Sequence, residues 1–275
     1  MSISSIEEAS YEQNVETFKI EYLSDGLKIK GYVSKPKQLG LFPCIIFNRG
    51  GNREFSKLDD KRAAYLLGKL ASYGYVVIAS NYRGTGGGEG KEEFGGNDIN
   101  DVLNLFNVLE EIKSADTSRV GMYGWSRGGM MTYLALAKTN KLKAVVVGGA
   151  PSDLTTLGRI EMEQNVFEEL IPNYKENKEA ELKKRSAIFW VEKFPKNVPI
   201  LILHGSSDWR VKASQSLRMA EELEKHNIHY RLKVFEGADH GISQFRDEVD
   251  EEVINWLDRF VKNREILPIV KLHGN

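Results

Sequence analysis

Five short runs of consecutive apolar residues constrain the fold of this chain more than any other feature of its sequence. They lie at residues 44–47, 75–79, 120–123, 144–147 and 200–203. A run of this kind, without the alternation of a half-exposed strand, is typical of a strand buried on both faces of a sheet. Amphipathic segments such as 59–73 and 98–112 lie between the runs and predict right-handed crossovers between parallel strands. The pattern therefore predicts a doubly wound α/β sheet.

The sequence before residue 44 follows a different pattern. Residues 1–14 form a polar lead-in, after which apolar residues alternate with charged ones on both sides of the turn sequence Ser24-Asp25-Gly26. A period of two interrupted by a turn is typical of an antiparallel hairpin. With a further strand at 230–235 and a last amphipathic helix, we expect about eight mostly parallel strands. They would form one domain over residues 15–265, followed by a tail at 266–275.

One connection, residues 153–197, is too long for a plain crossover between strands. It is rich in Glu and Lys, with scattered apolar residues. Because long structureless loops are uncommon in compact domains, we expect extra helices here that form a small cap over the edge of the sheet.

Composition narrows the classes of function. The chain has 38 basic and 39 acidic residues, so its charge does not point to nucleic acid or an anionic membrane as a partner. Its single cysteine, Cys44, excludes an intrachain disulfide. The polar, acidic N-terminus does not resemble a secretory signal, and no apolar run approaches the ~18–20 residues of a membrane span. No Cys, His and Asp residues have metal-ligand spacing. We expect a cytoplasmic protein without cofactor or metal that acts on a small molecule or short peptide; an oligomer is compatible with the sequence, which does not specify one.

The strongest local signal is the sequence Gly124-Trp125-Ser126-Arg127-Gly128. It follows a predicted buried strand and precedes a predicted helix, which is the setting of a nucleophile elbow. A tight strand-to-helix turn exposes the serine hydroxyl, and glycines on both sides avoid collisions across the turn. This context predicts Ser126 as a nucleophile on an α/β-hydrolase fold.

The base and the acid should follow the nucleophile in the chain. Of the five histidines, His240 lies in a glycine-flanked loop between the last predicted strand and the last helix. The other four, His204, His226, His229 and His273, are better explained as structural or surface residues. Asp208 follows a buried strand at the sheet edge where ligands collect, so we predict it as the acid. Asp239 is the rival candidate, but it adjoins His240 and is poorly placed to aim at that ring.

The oxyanion of an acyl-transfer intermediate requires hydrogen-bond donors. The backbone N–H of Arg127, at a helix N-terminus, is the first candidate. The second should come from the loop Arg49-Gly50-Gly51, whose glycines allow the main chain to approach a ligand. The aromatic residues Trp125, Phe189, Trp190 and Trp209 are the candidates for an apolar substrate pocket. Asp98 and Asp101 are interpreted as residues at a helix N-terminus that face its dipole.

Taken together, these residues resemble the catalytic domain of the prolyl oligopeptidase family of serine peptidases. The resemblance rests on the segments 81–86 (NYRGTG), 119–129 (RVGMYGWSRGG), Arg185-Ser186, His204-Gly205 with Asp208 and Val211, and Asp239-His240-Gly241. The resemblance covers about residues 15–262 and implies the same catalytic triad. Typical members also carry an N-terminal β-propeller, for which this chain offers no room. They have tyrosine or histidine where this chain has Arg49, so the oxyanion site is expected to use backbone donors.

Three functions are consistent with these residues. The first is a serine peptidase or amidase that acts on short peptides or acyl-amino compounds through an acyl-enzyme. The second is a carboxylesterase with the same catalytic groups. The third is a binding protein on a hydrolase scaffold, which the complete set of triad residues disfavours.

Overall fold

A computed structural model describes residues 1–6, 8 and 11–270, and within these residues nine strands form one sheet. The strands are β1 (Ser2–Ser5), β2 (Val15–Ser24), β3 (Leu27–Pro36), β4 (Phe42–Asn48), β5 (Val76–Ser80), β6 (Ala115–Trp125), β7 (Leu142–Gly148), β8 (Ile200–Gly205) and β9 (Tyr230–Phe235). Their order across the sheet is β1-β2-β3-β5-β4-β6-β7-β8-β9. Strands β4 to β9 pair in parallel, whereas β1, β2 and β3 add in antiparallel fashion.

The order of the strands reverses at β4. Strand β5 lies on one side of β4 and β6 lies on the other, and Asn48 at the end of β4 is in register with Gly124 near the end of β6. The loops that follow β4 and β6 therefore leave the sheet side by side. In open parallel sheets such a reversal creates a crevice at the carboxyl ends of the strands, and ligands bind there.

The antiparallel part is built on a two-residue turn. Asp25 and Gly26 connect β2 to β3, and both have positive φ angles, 52° and 80°. A turn with two positive φ angles matches the twist of the flanking strands, and Asp-Gly is among the sequences that adopt it at low cost. The predicted hairpin is confirmed.

Helices cover both faces of the sheet. They are α1 (Asp60–Ser72), α2 (Ile99–Leu103), α3 (Leu105–Glu110), α4 (Arg127–Leu136), α5 (Ile160–Met162), α6 (Glu168–Leu170), α7 (Tyr174–Lys184), α8 (Ser214–Lys225) and α9 (Arg246–Leu257). Apolar residues of α1 and α9 pack on one face, and those of α2, α3, α4 and α8 pack on the other. Along β4, Ile45 faces the first layer and Ile46 the second, and both are fully buried. This two-sided burial explains the continuous apolar runs in the sequence.

The connection between β7 and β8 contains the predicted helices. Helices α5 and α6 are joined by a five-residue π-helical turn, Glu163–Phe167, and α7 follows them. Val166, Phe167 and Leu170 are buried in the same core cluster as the helices on that face. The segment thus adds a helical layer at the edge of the sheet. The domain limits at residues 15 and 265 stay predictions.

The sequence and the structure differ most at the N-terminus. Residues Ser2–Ser5 of the predicted lead-in form an edge strand that pairs with Phe18 to Glu21 of β2. All four of these residues are exposed, so the strand is held by its backbone and has no apolar pattern that could predict it. Strand β6 also begins earlier than its apolar run. Its first five residues are exposed or half-buried, so no apolar run marks them in the sequence. His273 lies outside the described residues.

Candidate active site

Ser126 occupies a strained turn between β6 and α4. Its backbone angles are φ 57° and ψ −126°, a region that residues with side chains rarely adopt. The turn leaves no space at its glycines: a Cβ added to Gly124 would lie 2.1 Å from the Gly128 oxygen, and one added to Gly128 would lie 1.9 Å from the Asn48 oxygen. The two glycines are therefore required by the close approach of the main chain, as the sequence predicts.

His240 and Asp208 lie in direct contact. His240, in the loop after β9, donates from Nδ1 to Asp208 Oδ2, in the loop after β8, over 2.6 Å. The other oxygen, Asp208 Oδ1, accepts the backbone N–H groups of Arg210 and Val211 at 2.8 and 3.0 Å. Asp239, the rival acid, instead accepts hydrogen bonds from its own loop, at the backbone of Gly241 and at Ser243.

A second histidine supports Asp208. His204 is fully buried, and its Nε2 lies 2.8 Å from the Val211 carbonyl oxygen and 3.3 Å from Asp208 Oδ2. Since both neighbours are acceptors, Nε2 carries the proton, and Nδ1 accepts the Ser216 hydroxyl at 2.6 Å. Sequence reasoning identified His204 as structural but missed its contact with the acid, because the contact depends on how the loop folds back on its strand.

The ionisation of Asp208 follows from these contacts. Burial alone would raise the pKa of its carboxyl group. The hydrogen bonds from His204, His240 and the Val211 N–H outweigh burial and hold this pKa well below its usual range. Asp208 is therefore an anion at neutral pH, which fixes the proton of His240 on Nδ1 and leaves Nε2 as the basic nitrogen.

Ser126 and His240 line the same cavity. The His240 ring rests against Gly149, where an added Cβ would lie 3.2 Å from Cε1 and Nδ1, and the Trp125 indole N–H donates to the His240 carbonyl oxygen at 2.8 Å. Among the described residues, no hydrogen bond joins the Ser126 hydroxyl to His240. The structure thus brings His240 onto Asp208 and places Ser126 in the wall of the cavity that His240 also lines.

Backbone donors surround Ser126. The N–H of Arg127 is the first of α4, and the N–H groups of Gly50 and Gly51 make no hydrogen bond within the described part of the chain. Gly50 is close to the nucleophile: a Cβ added there would lie 3.3 Å from Ser126 Cβ and 3.0 Å from the Trp125 oxygen. The candidate oxyanion donors thus include the N–H groups of Arg127, Gly50 and Gly51.

The cavity has a volume of about 910 Å³ and a mostly apolar wall. Two of the predicted pocket residues, Trp125 and Trp209, line it. The prediction of Phe189 and Trp190 is wrong, because both lie outside the lining. Trp190 is buried against Phe194, with its indole N–H donating to the Lys183 carbonyl oxygen. Phe189 lies under the Lys183 amine.

Comparison with known proteins identifies the family of the chain. The sequence model of the prolyl oligopeptidase family matches residues 61–264, most of the chain. The chain belongs to the prolyl oligopeptidase family. It is a serine peptidase-like hydrolase with an α/β-hydrolase fold.

Relatives within this family differ in length. The chain is 27% identical to the uncharacterized peptidase YtmA of Bacillus subtilis, over 92% of this chain and 95% of that protein. It is also 27% identical to human dipeptidyl peptidase 8, over 79% of this chain but 25% of that protein. An acylaminoacyl peptidase of Pyrococcus horikoshii has the same fold, with a TM-score of 0.79 and 24% identity, over 94% of this chain and 44% of that one. The chain thus spans less than half of these longer proteins.

Arg49 marks a departure from the usual family pattern. Its side chain is 1% exposed, and all three guanidinium nitrogens donate to oxygens. The acceptors are the carbonyl groups of Gly50, Arg53, Phe55 and Asn81 and the hydroxyl of Thr85. These hydrogen bonds already engage the side-chain N–H groups of Arg49, and the prediction that backbone donors serve the oxyanion stays a prediction. Arg49 instead holds the loop that follows β4.

The side chain of Arg127 is also buried and supports the same loop. Its guanidinium lies 2.7 Å from Glu92 and from Asp98, and it donates to the Gly51 carbonyl oxygen at 3.0 Å. Asp98 is the N-cap residue of α2 and Asp101 lies in its first turn, as predicted, but their side chains pair with Arg127 and Arg83, and Asp98 makes no capping hydrogen bond. Burial raises the pKa of Asp98 even though Arg127 lowers it. The arginine of the nucleophile motif thus positions the glycine loop that faces Ser126.

The described residues provide neither a metal centre nor a membrane span. No group of three or more His, Cys, Asp or Glu side chains among them could hold a metal ion. No helix in the same part of the chain combines the length and the apolar character that crossing a bilayer requires.

Proposed function

We propose that the chain hydrolyses amide bonds in short peptides or acyl-amino compounds, with Ser126 as nucleophile, His240 as general base and Asp208 as the acid that orients the base. One observation carries the proposal. The 2.6 Å hydrogen bond between Asp208 Oδ2 and His240 Nδ1 leaves the basic nitrogen of His240 available in the cavity that Ser126 also lines.

The proposed reaction has two halves. Ser126 Oγ attacks the carbonyl carbon of the substrate while His240 Nε2 takes the hydroxyl proton. The N–H of Arg127 and an N–H of Gly50 or Gly51 stabilise the oxyanion of the tetrahedral intermediate. The intermediate expels the amine, which receives the proton from His240, and an ester to Ser126 remains. Water, activated by the same imidazole, then releases the acid and restores the serine.

The substrate class is supported by size and by family. A cavity of about 910 Å³ is large enough for a short peptide or an acyl-amino compound, and its apolar wall can bury an acyl group. Relatives of the chain include proteins named as peptidases, among them YtmA and dipeptidyl peptidase 8. We further propose the cytoplasm as the compartment, in keeping with the single, buried Cys44.

Labelling with a fluorophosphonate tests the nucleophile. We expect the wild-type protein to gain one probe mass on the peptide that contains Ser126, and Ser126→Ala to gain none. Ser56→Ala is the matched control, because Ser56 lines the same cavity and should leave labelling intact. Equal labelling of the wild type and Ser126→Ala would refute the assignment, and an unlabelled wild type would favour a binding protein.

Matched substrates test the bond that is cleaved. The competing function is a carboxylesterase, which Arg49 favours because it replaces a side chain that serves the oxyanion in typical family members. A p-nitroanilide and a p-nitrophenyl ester of one acyl group compare the two bonds directly. We expect measurable anilide turnover that Ser126→Ala abolishes. Fast ester hydrolysis without anilide turnover would replace the peptidase proposal by an esterase.

A further inference from the structure

The cavity beside Ser126 concentrates positive charge, although the chain as a whole has a formal net charge of −1. Eight of its lining residues are Lys or Arg, and two are Asp. A concave site lined by one sign of charge raises the local concentration of ligands of the other sign, because its low-dielectric walls focus the field.

Part of this charge is neutralised inside the protein. Arg127 is buried with Glu92 and Asp98, and the buried Arg49 lies 3.6 Å from Glu92. Lys69 and Arg246 share Asp250, at 2.5 and 3.5 Å. These four cations serve the fold of the cavity wall and are not available to a ligand.

The remaining cations lie at the mouth of the cavity. Lys61, Arg62 and Arg210 are exposed and form no ion pair within the described ranges, and Arg159 pairs with the exposed Glu161 alone. Asp59, the other acidic residue of the lining, accepts the backbone N–H of Arg62 as the cap of α1. The mouth therefore carries an excess of positive charge.

Two of these cations share one aromatic ring. Trp209, 67% exposed, immediately follows the acid Asp208. The guanidinium carbon of Arg159 lies 5.1 Å from the centre of its indole, and that of Arg210 lies 5.4 Å from it. The same ring thus contacts two like charges from separate elements, the cap and the loop after β8. A cation–π contact with the ring does not use up the guanidinium N–H groups, which can still donate to a planar anion.

We propose that Arg159 and Arg210, held by Trp209, bind a carboxylate of the substrate, so that the enzyme prefers acidic peptides or acyl-amino compounds to neutral ones. This inference rests on the proposed hydrolysis at Ser126 and defines its substrate class. The carboxylate can be an acidic side chain or a free C-terminus, since both present the same planar group to the arginines.

Isosteric substrates test whether the bound carboxylate is an acidic side chain. N-Acetyl-Glu and N-acetyl-Gln p-nitroanilides differ by the charge alone, and we expect kcat/KM to favour Glu by about tenfold, as for a hydrogen bond to a charged group. The preference should decrease at high salt, because the site is open to solvent. Equal hydrolysis of the two substrates, with or without added salt, would count against an acidic side chain as the bound group.

A second pair of substrates tests whether the bound carboxylate is a free C-terminus. A neutral N-acetyl peptide with a free C-terminus is compared with the same peptide as its C-terminal amide. A preference for the free acid alone assigns the site to the terminal carboxylate. If neither this pair nor the Glu and Gln pair differs, the inference fails while the proposed hydrolysis stands; if no substrate is cleaved at all, it is the proposed function that fails.

Variants with opposite expected effects locate the site. Arg159→Gln and Arg210→Gln should bring the ratio of acidic to neutral kcat/KM close to one, mainly through KM for the acidic substrate. Glu161→Gln frees Arg159 and should raise the ratio. Arg231→Gln is the control, because this half-exposed arginine lies outside the cavity and should leave the ratio unchanged. A ratio that does not respond to Arg159→Gln, Arg210→Gln or Glu161→Gln would overturn the assignment of the two arginines.

Discussion

The loops on the two sides of Ser126 are held by buried groups of opposite charge. After β4, the Arg49 cation collects backbone carbonyl oxygens of its loop and of Asn81. After β8, the Asp208 anion collects the N–H groups of Arg210 and Val211 and the imidazole of His240. Each charge is satisfied by the type of backbone group that its own loop supplies.

The difference explains what each loop offers to a substrate. When carbonyl oxygens turn inward to a cation, N–H groups such as those of Gly50 and Gly51 stay unpaired, and an oxyanion requires donors. When N–H groups turn inward to an anion, the imidazole is fixed with its basic nitrogen facing outward, and proton transfer requires an acceptor. We call the loop after β8, held around Asp208, the anion side, and the loop after β4, held around Arg49, the cation side. The comparison predicts that the anion side controls turnover and that the cation side controls the stability of its loop.

The largest expected effect is on the anion side. Asp208→Asn keeps the size and the acceptor for Arg210 and Val211, but its amide donates to His240 Nδ1 and moves the imidazole proton to Nε2. We expect turnover to decrease by about 10⁴-fold while the fold persists. Steady-state kinetics and a thermal melt measure the two quantities. Near-normal turnover in a folded Asp208→Asn protein would show that another residue orients the base.

A substitution on the cation side should mainly reduce the stability of the protein. Arg49→Met keeps an unbranched, largely apolar side chain but removes the guanidinium, so four carbonyl groups lose their buried partner and Glu92 keeps Arg127 alone. We expect a loss of about 3–5 kcal/mol in the free energy of unfolding, measured by urea denaturation. Arg231→Met is the control, and it should cost less than about 1 kcal/mol because its ion pair is half-exposed. If both variants cost the same, the guanidinium network does not hold the loop.

These two sides also differ in how well the sequence predicts them. Ser126 and Asp208 follow strands with apolar runs, and His240 follows the strand predicted at 230–235, so their loops could be placed at one end of the sheet from the sequence alone. Arg49 and Arg127 gave no such signal, because burial of an arginine depends on partners far away in the chain, Asn81 and Asp98 among them. Arginine side chains are mostly exposed in folded proteins, so residue type alone does not predict their burial here.

The pocket and the edge strand were missed for related reasons. An aromatic residue in the cap can face the cavity or the core, and its sequence neighbours do not distinguish the two directions. Trp190 packs on Phe194, whereas Trp209 stands at the mouth of the cavity. Strand β1 pairs through its backbone and buries no side chain, so no period of two marks it. Sequence patterns thus predict elements with a buried face better than contacts that depend on orientation.

A smaller effect is expected where the main chain touches the base. Gly149→Ala adds a methyl group 3.2 Å from the His240 ring at a φ of 51°. Gly74→Ala is a matched control, because Gly74 also has a positive φ, 84°, but open space around it. We expect both variants to lose about 1–2 kcal/mol of stability from backbone strain, with turnover reduced in Gly149→Ala alone. Equal kinetics would mean that Gly149 does not position the imidazole.

The smallest expected effect is the pH dependence of stability on the anion side. Since contacts in the folded state lower the pKa of Asp208, its stabilisation is complete above the unfolded pKa near 3.8 and is lost as the pH decreases through the lower folded value. The stability difference between the wild type and Asp208→Asn should therefore shrink by about 1 kcal/mol between pH 5 and 3. Arg49 contributes no such step of its own, because a guanidinium stays protonated throughout this range. Urea denaturation of both proteins at each pH measures the difference, and a constant value down to pH 3 would mean that Asp208 gains no net stabilisation of its charge on folding.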